Sequence, residues 1–352
     1  MFTTRPGPDE ISLVVDGVDF RHWTEIELTF SMDSFSTANF VAPFEPNDRD
    51  HRETFEPFTY KRMRVLLGGQ ALFTGTMVDI NPEATAESST VHASGYALAG
   101  VLDDCCAPAS TVPHEFHKVG FRAICEYLAS PFGITVQVRG DEGAVFPKVK
   151  IREDEEIFPF LTELAQQRNF VLTNTPDGML LVWRSVPTGS PVARLSGDVS
   201  PVSEVSASFS PQDYFSELTG YAGARRGRRG TKYTAQNKWL TGVLRPKSFH
   251  LEDTEKAGAK EVVLAKMGRM FANAASYRVE NIPTWRDPQG DLWTPNTTVV
   301  LKAPKVMLYR ETEMLIRKVT LKQKTKERTA ALEVCLPGCF SGEMPSALPW
   351  KP

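Results

Sequence analysis

The sequence predicts a mainly β protein with α+β parts, on three observations. Apolar and polar residues alternate with period two through much of the chain, as where Ile26, Leu28 and Phe30 alternate with Glu25, Glu27 and Thr29. One order of strands is written twice. VLLGGQALFTGTMVDI and then STVHASGYALAGVLDD run from Val65 to Asp104, and VVLKAPKVMLYRETEMLIRKVTL and then RTAALEVCLPGCF start at Val299. Each reads as strand, short connection, long strand, polar break, strand. Third, helical spacing is confined to stretches between or inside these sheets. Two sheet units of similar layout point to a protein built to make a structure, with no obvious pocket chemistry.

Residues 1–10, with Pro6, Gly7 and Pro8, read as a flexible lead. ISLVV meets Asp16-Gly17, a hairpin turn pair. Pro, Asp and Glu crowd residues 43–58, which read as a loop. The sheet resumes at Met63, breaks at Gly68-Gly69, steps through Phe73 and Gly75, and returns in a strand ending at Gly95-Tyr96. Residues 11–109 therefore read as one all-β unit, a barrel or strongly curled sheet.

The period changes after Pro108. Phe121, Ile124, Cys125 and Leu128 recur at three and four, a helix face ended by Pro131 and Gly133. ITVQV follows as a strand. A second helix runs from Asp154 to Gln167, with Phe158, Leu161, Leu164 and Ala165 inward. Its Pro159 sits in the first turn, where a missing N–H costs little. FVLTN and MLLVW flank a turn at Pro176-Asp177-Gly178. Residues 110–190 thus read as a small α/β domain, with VPTGSP (186–191) as a linker. Period two returns at Val205, Ala207 and Phe209. Residues 255–276 read as one long helix with Val262, Val263, Met267, Met270 and Phe271 on its apolar face. Trp285 and Trp293 flank a Pro/Gly loop. Strands resume at Thr298, so the second β unit is split, 191–249 plus 292–340, around a helical insertion at 250–291. The tail, 341–352, reads as extended.

A chain of 352 residues is long enough for two to four domains. Hydrophobic residues at 41% and charged residues at 24% are ordinary for a globular protein. A net charge of -3 does not ask for nucleic acid or an anionic membrane as main partner. MFTTRPGPDE lacks the apolar core of a signal peptide, and no run approaches the ~20 apolar residues of a membrane helix. The expectation is synthesis in the cytosol and assembly there into something larger. Five cysteines, an odd count, read as reduced and packed thiols.

His92, Cys105, Cys106, His114, His117 and Cys125 invite a zinc reading. They lack a C-x2-C pair, and adjacent cysteines rarely share one tetrahedral ion, so packed thiols are expected and no metal. Glu153, Asp154, Glu155 and Glu156 lie where a helix begins, and the helix dipole favours acids there. The chain has no G-x-S-x-G, P-loop or Rossmann glycine pattern. A glycosidase needs only two carboxylates, which composition alone does not exclude. The sequence calls for no cofactor and assigns no catalytic residue. Its one marked charge feature is Arg225, Arg226, Arg228, Arg229 and Lys232, spaced by Gly223, Gly227 and Gly230. Such a basic loop is either a contact for an anionic partner, an acidic rim or passing DNA, or a solvated hairpin tip. Trp350 in the tail is either a docking anchor or part of a disordered end.

Taken in order, several segments resemble the Mu-like phage baseplate hub proteins (the P-type tail proteins), relatives of the T-even phage hub and of the N-terminal part of type VI secretion spike proteins. They are ISLVVDGVDFRHWTEIELTFSMDSFSTANFV, VLLGGQALFTGTMVDI, SGYALAGVLDD, FRAICEYLASPFGITV, FPFLTELAQQRNFVLTNTPDGMLLVWR and the closing DLWTPNTTVVLKA to LPGCF. The likeness covers residues 11 to 340. It implies two tube-type β-barrel domains, a small α/β domain between them and a helical insertion in the second barrel. It also implies a homotrimer of a contractile or related tail, in which three copies present six barrels and so match a sixfold tube to a threefold spike. The partners implied are other copies of the chain, the central spike protein, the tail tube or distal tube-initiator protein, the baseplate wedge proteins and the tape-measure protein. DNA passes only in transit through the channel, and no membrane insertion is implied. The place implied is the virion tail baseplate, assembled in the host cytoplasm, with no enzymatic activity. No spike repeat follows residue 340, so the spike is expected to be a separate chain. Two other classes compete. A tail-tip cell-wall hydrolase would show a cleft of convergent carboxylates. A receptor- or sugar-binding module would show exposed aromatic platforms, although Trp23 and Trp183 lie in or beside strand patterns and read as core.

Overall fold

A computed structural model describes residues 7, 9–111, 114–185, 190–197, 202, 204–222, 232–251, 258–325 and 327–351. The first β unit comprises β1 (Ile11–Val15), β2 (Val18–Phe20), β3 (Glu25–Ser31), β4 (Thr37–Pro43), β5 (Arg62–Leu67), β6 (Gln70–Ala84) and β7 (Ser89–Ala97). Asp16 and Gly17 both take positive φ, 50° and 85°, as a two-residue hairpin turn demands. Residues 43–58, expected as a loop, contain a short helix, α1 (Arg49–Thr54). Asp48 starts it by accepting from the N–H groups of Asp50 and His51, and buried Phe55 anchors its end.

The middle unit holds α2 (Val101–Asp104), β8 (Glu115–Val119), α3 (Phe121–Ala129), β9 (Val136–Val138), β10 (Phe146–Lys150), α4 (Ile157–Gln166), β11 (Phe170–Asn174) and β12 (Leu180–Arg184). It has a core of its own, from Ala99 to Val182, separate from the core that runs through both β units. That core begins earlier than the expected boundary at 110, because Ala99 and Leu102 pack inward with α4.

The last third holds β13 (Ala193–Ser196), β14 (Glu204–Phe209), β15 (Glu217–Ala222), β16 (Lys232–Gln236), β17 (Pro246–Leu251), α5 (Gly258–Ala274), β18 (Ala275–Ile282), β19 (Thr298–Ala303), β20 (Leu308–Lys324) and β21 (Glu327–Cys335). β16, β15 and β17 form a small sheet against which α5 packs. Within the span 250–291 expected as helical, α5 passes directly into β18, which joins the main sheet between β14 and β21. No Gly or Pro separates Ala274 from Ala275. The change is marked only by the switch to period-two burial at Ala275, Tyr277 and Val279. The tail folds back instead of extending. Leu348 is buried, and Trp239 Nε1 donates to the Pro345 carbonyl at 3.0 Å.

The written repeat has a structural counterpart. β5, β6 and β7 are six, 15 and nine residues long, and β19, β20 and β21 are six, 17 and nine. Both triplets pair antiparallel, and their ladders slip at the same steps. The first slip lies between Val65 and Leu66 in one and between Leu301 and Ala303 in the other. The second lies between Met77 and Asp79, and between Ile316 and Lys318. Aligned on that second bulge, Ile316 corresponds to Met77 and Val334 to Gly95. The neighbours follow: β7 leads to β4 and β3, as β21 leads to β18 and β14. The correspondence stops at the outer strand, since β1 runs antiparallel to β5 whereas β13 runs parallel to β19.

All of these strands belong to one 13-stranded sheet. The units join where Lys318–Lys324 of β20 pair antiparallel with β3, Val319 opposite Phe30 and Leu321 opposite Leu28.

Candidate functional site

The residues that suggested metal chemistry are dispersed. Cys125 is buried in the apolar face of α3, and Cys106 bridges Glu156. Burial pushes the Cys105 and Cys125 thiols up, away from the reactive thiolate form. His114 is buried with Nε2 at 3.3 Å from both the Pro108 carbonyl and Thr111 Oγ1. His117 pairs with Glu115, and His92 lies 3.8 Å from Glu83 on another sheet. Among the described residues, no three His, Cys, Asp or Glu side chains converge on a point that would hold an ion. The acidic run at 153–156 is also local: Glu153 pairs with Lys150 at 3.2 Å, and Arg152 lies between Asp154 and Glu155.

Of the basic loop, Arg225, Arg226, Arg228 and Arg229 lie outside the described residues. Lys232 opens β16 and is exposed. Trp350 is half-buried, edge-on to Phe209 at 5.3 Å between centroids, beside an apolar cavity of ≈ 390 Å³ that Phe271 and Met307 also line. The structure does not bring Trp23 and Trp183 onto an exposed platform. Both pack against the main core, and Trp183 Nε1 donates to the Met32 carbonyl at 3.2 Å.

What the fold does concentrate is contact between units. On the wet face of the β20·β3 junction, Lys322 Nζ sits 2.6 Å from Glu25 and 3.6 Å from Glu27, with Lys324 3.5 Å from Glu25. Thr29 and Thr320 hydroxyls lie 3.3 Å apart on the same face. The hydrogen bond from Lys322 holds the Glu25 carboxyl below its ordinary 4.5. The folded state therefore binds the Glu25 proton less readily than the unfolded chain. Its contribution is full above 4.5 and is lost as pH falls through the depressed folded value. In urea titrations from about pH 6 to about pH 3, the wild type should lose more stability than Glu25→Gln. Equal acid limbs would show that this carboxylate does not brace the junction. These pairs were visible in the sequence only as two alternating charge patterns. Nothing in either pattern names the other as partner.

A second contact, at the end of β3, went unseen. Arg317 is the extra residue of the β20 bulge and donates from Nη2 to Asp33 Oδ2 at 2.9 Å, while the Met32 N–H donates to the Arg317 carbonyl at 3.0 Å. Arg269 of α5 donates to the Phe170 carbonyl at 2.8 Å, and both guanidiniums lie over the Phe340 ring. Four parts of the chain meet here: first unit, second unit, middle unit and α5. Burial pushes Arg269 down to about 10. Burial also works against the charge on Arg317, but Asp33 outweighs it and holds that group above its ordinary value.

Two of the open backbone edges lie at corresponding places in the two units. Among the described residues, β14 pairs on one side only, and so does the second half of β6. Phe209 on β14 and Met307 and Tyr309 nearby are 41%, 52% and 43% exposed.

Residues 99–184 match the family described as baseplate hub protein gp44-like, second domain, a span close to that of the separate middle core. Over 326 residues the chain is 26% identical to the baseplate hub protein gp44 of Escherichia phage Mu, covering 88% of this chain and 83% of that protein. The fold is similar to the 43 kDa tail protein of prophage MuSo2 from Shewanella oneidensis, with a TM-score of 0.77, 25% identity and coverage of 94% and 99%. It is also similar to a component of the type VI secretion system of E. coli, described as structurally similar to the T4 tail proteins gp27 and gp5. There the TM-score is 0.55 at 9% identity, covering 92% of this chain and 76% of that one. With a gp44-like second domain and this likeness along most of its length, the chain is a homologue of the Mu baseplate hub protein, in a fold shared by phage tail and type VI secretion proteins.

Proposed function

We propose that the protein is the structural baseplate hub of a phage tail. Three copies form a ring that joins the hexameric tail tube to a trimeric central spike and leaves a channel for DNA and the tape-measure protein. β1–β7 in the first unit and β13, β14 and β18–β21 in the second act as two tube-type barrels, with the α/β domain between them and β15–β17 with α5 inserted in the second. The observation that carries this reading is the duplicated strand triplet with its bulges at matching rungs. Two similar sheet units per chain let three chains present six similar faces, which is what an adaptor between sixfold and threefold rings requires. The hub name of the Mu relative supports the same reading. The spike, a tube or tube-initiator protein and the wedge proteins are the partners, in a virion tail assembled in the host cytoplasm. Lys232 and Arg225, Arg226, Arg228 and Arg229 contact an anionic partner, and Trp350 steadies an interface.

Light scattering on the purified chain should give three times the 39.2 kDa chain mass, or that mass plus the spike's own when the spike is bound, and averaged electron micrographs should show a ring with an axial hole. Monomers at every concentration in both samples, or a threefold particle without a passage, would overturn the hub. The same preparation should release nothing from peptidoglycan and retain no glycan, the outcomes that a tail-tip hydrolase or a receptor-binding module would give instead. In phage, reversing the four arginines to glutamate should lower infectivity. Normal assembly and ejection would remove the loop from the account.

A further inference from the structure

Inside one chain the two sheet units meet through β20 and β3. Each unit also carries an open edge of the same kind. The ladder correspondence makes Ile80–Ala84 of β6 the counterpart of Val319–Gln323 of β20, and makes β14 the counterpart of β3, with Phe209 standing where Phe30 stands. We propose that β14 of one copy pairs antiparallel with the outer edge of β6 in the next copy, repeating between chains the junction seen within one. The proposal rests on the trimeric reading above and adds which edges meet and in what register.

The register follows from the internal junction. Val319 faces Phe30 and Leu321 faces Leu28, so Ile80 should face Phe209 of the next copy and Pro82 should face Ala207. Ala84 then faces Val205. One face of the new seam is wholly apolar, as it must be to continue the sheet core, and Ile80 comes to lie beside the cavity that Phe209 lines. On the other face Asn81 meets Ser208, both exposed in the single chain, where Thr29 and Thr320 sit 3.3 Å apart inside it. A slip of one residue would set each apolar side chain against a polar one.

The backbone directions agree. Thr325 N–H donates to the Thr24 carbonyl, so by alternation Val319, Leu321 and Gln323 are the hydrogen-bonded rungs toward β3. Thr85 N–H donates to the Ser88 carbonyl, which turns Ile80, Pro82 and Ala84 away from β7. Ser210 N–H donates to the Ala274 carbonyl, which turns Val205, Ala207 and Phe209 away from β18. Both edges thus offer outward backbone groups at the residues that the register places opposite each other. Pro82 lacks an N–H on its outward side, so this rung has a single bond, from Ala207 N–H to the Pro82 carbonyl. A proline there also discourages two β6 edges from pairing with each other. The contact joins different surfaces of identical chains, and such a contact closes into a ring when its rotation divides a full turn.

The test uses the full chain. Asn81→Cys combined with Ser208→Cys places thiols at a non-hydrogen-bonded pair, whose Cα spacing of about 4.5 Å suits a disulfide. Under mild oxidation it should run as covalent trimers on a non-reducing gel, and neither single variant should. Ala207→Pro removes an N–H that points away from β18. It should abolish the trimer while keeping the thermal midpoint of the monomer; if it fails to fold, the cross-link decides. A trimer that survives Ala207→Pro and never cross-links would overturn this seam and leave the hub standing. A chain that stays monomeric with and without spike, and does not cross-link, would remove both.

Discussion

Gly75→Ala is expected to cost about 3–5 kcal/mol, enough to leave little folded protein. A methyl group at Gly75 would sit 2.1 Å from the Tyr96 carbonyl oxygen and 2.4 Å from the Phe73 ring. The first obstacle is the backbone of the paired strand, which has no rotamer to change. Gly95 on β7 is as tight, 2.2 Å from the Thr76 carbonyl oxygen. These two glycines let β6 and β7 approach closely beside the bulge between Met77 and Asp79. By the ladder correspondence, Met314 and Val334 stand at their places in the second unit, so that unit is shaped without them. Urea unfolding of Gly75→Ala measures the cost. A loss under about 1 kcal/mol would mean that the strands separate cheaply and that the sheet does not depend on this contact.

Asp33→Ala should cost about 2–4 kcal/mol, somewhat below the usual range for breaking a buried ion pair, because the Arg317 and Asp33 side chains keep 22% and 20% of their surface exposed. The loss comes less from the missing attraction than from Arg317 left beside Arg269 without its hydrogen-bonded counter-charge. A double variant, Asp33→Leu with Arg317→Met, should recover most of it, since apolar groups of similar size have no charge to desolvate. Unfolding followed by far-ultraviolet circular dichroism and by tryptophan fluorescence should stay a single transition in the wild type. A double variant no better than Asp33→Ala would show that the pair positions the units and does not merely neutralise a charge.

The strand triplets were legible because their signals are local. Period two, the Gly68-Gly69 step and the polar breaks each lie within a few residues, and the family likeness rests on the same segments. Helices α3 and α4 were legible for the same reason, from their apolar spacing and from Pro131, Gly133 and Pro159. Where punctuation is missing, as at Ala274–Ala275, the sequence lets a helix run on into a strand. Helix α1 escaped notice because six residues are too few for a period, and only the Asp48 cap reveals it. The contacts between units were illegible for another reason. Asp33, Arg269 and Arg317 are far apart in the chain, and each reads alone as an ordinary surface charge. The same holds for Glu25 and Lys322. Their partners are set by which strands come to lie side by side, and that depends on the packing of the whole sheet.

The shared strand β20 has a mechanical consequence. It is bonded along one flank to β21 and along the other to β3, so the halves of the molecule have a common rail in place of a hinge. Sliding one half along that rail would shear many rungs together, whereas peeling would break them singly. A twist applied at one end of the molecule is therefore carried to the other with little give. In the hub role proposed above, that stiffness would fix the spacing of the rings on either side.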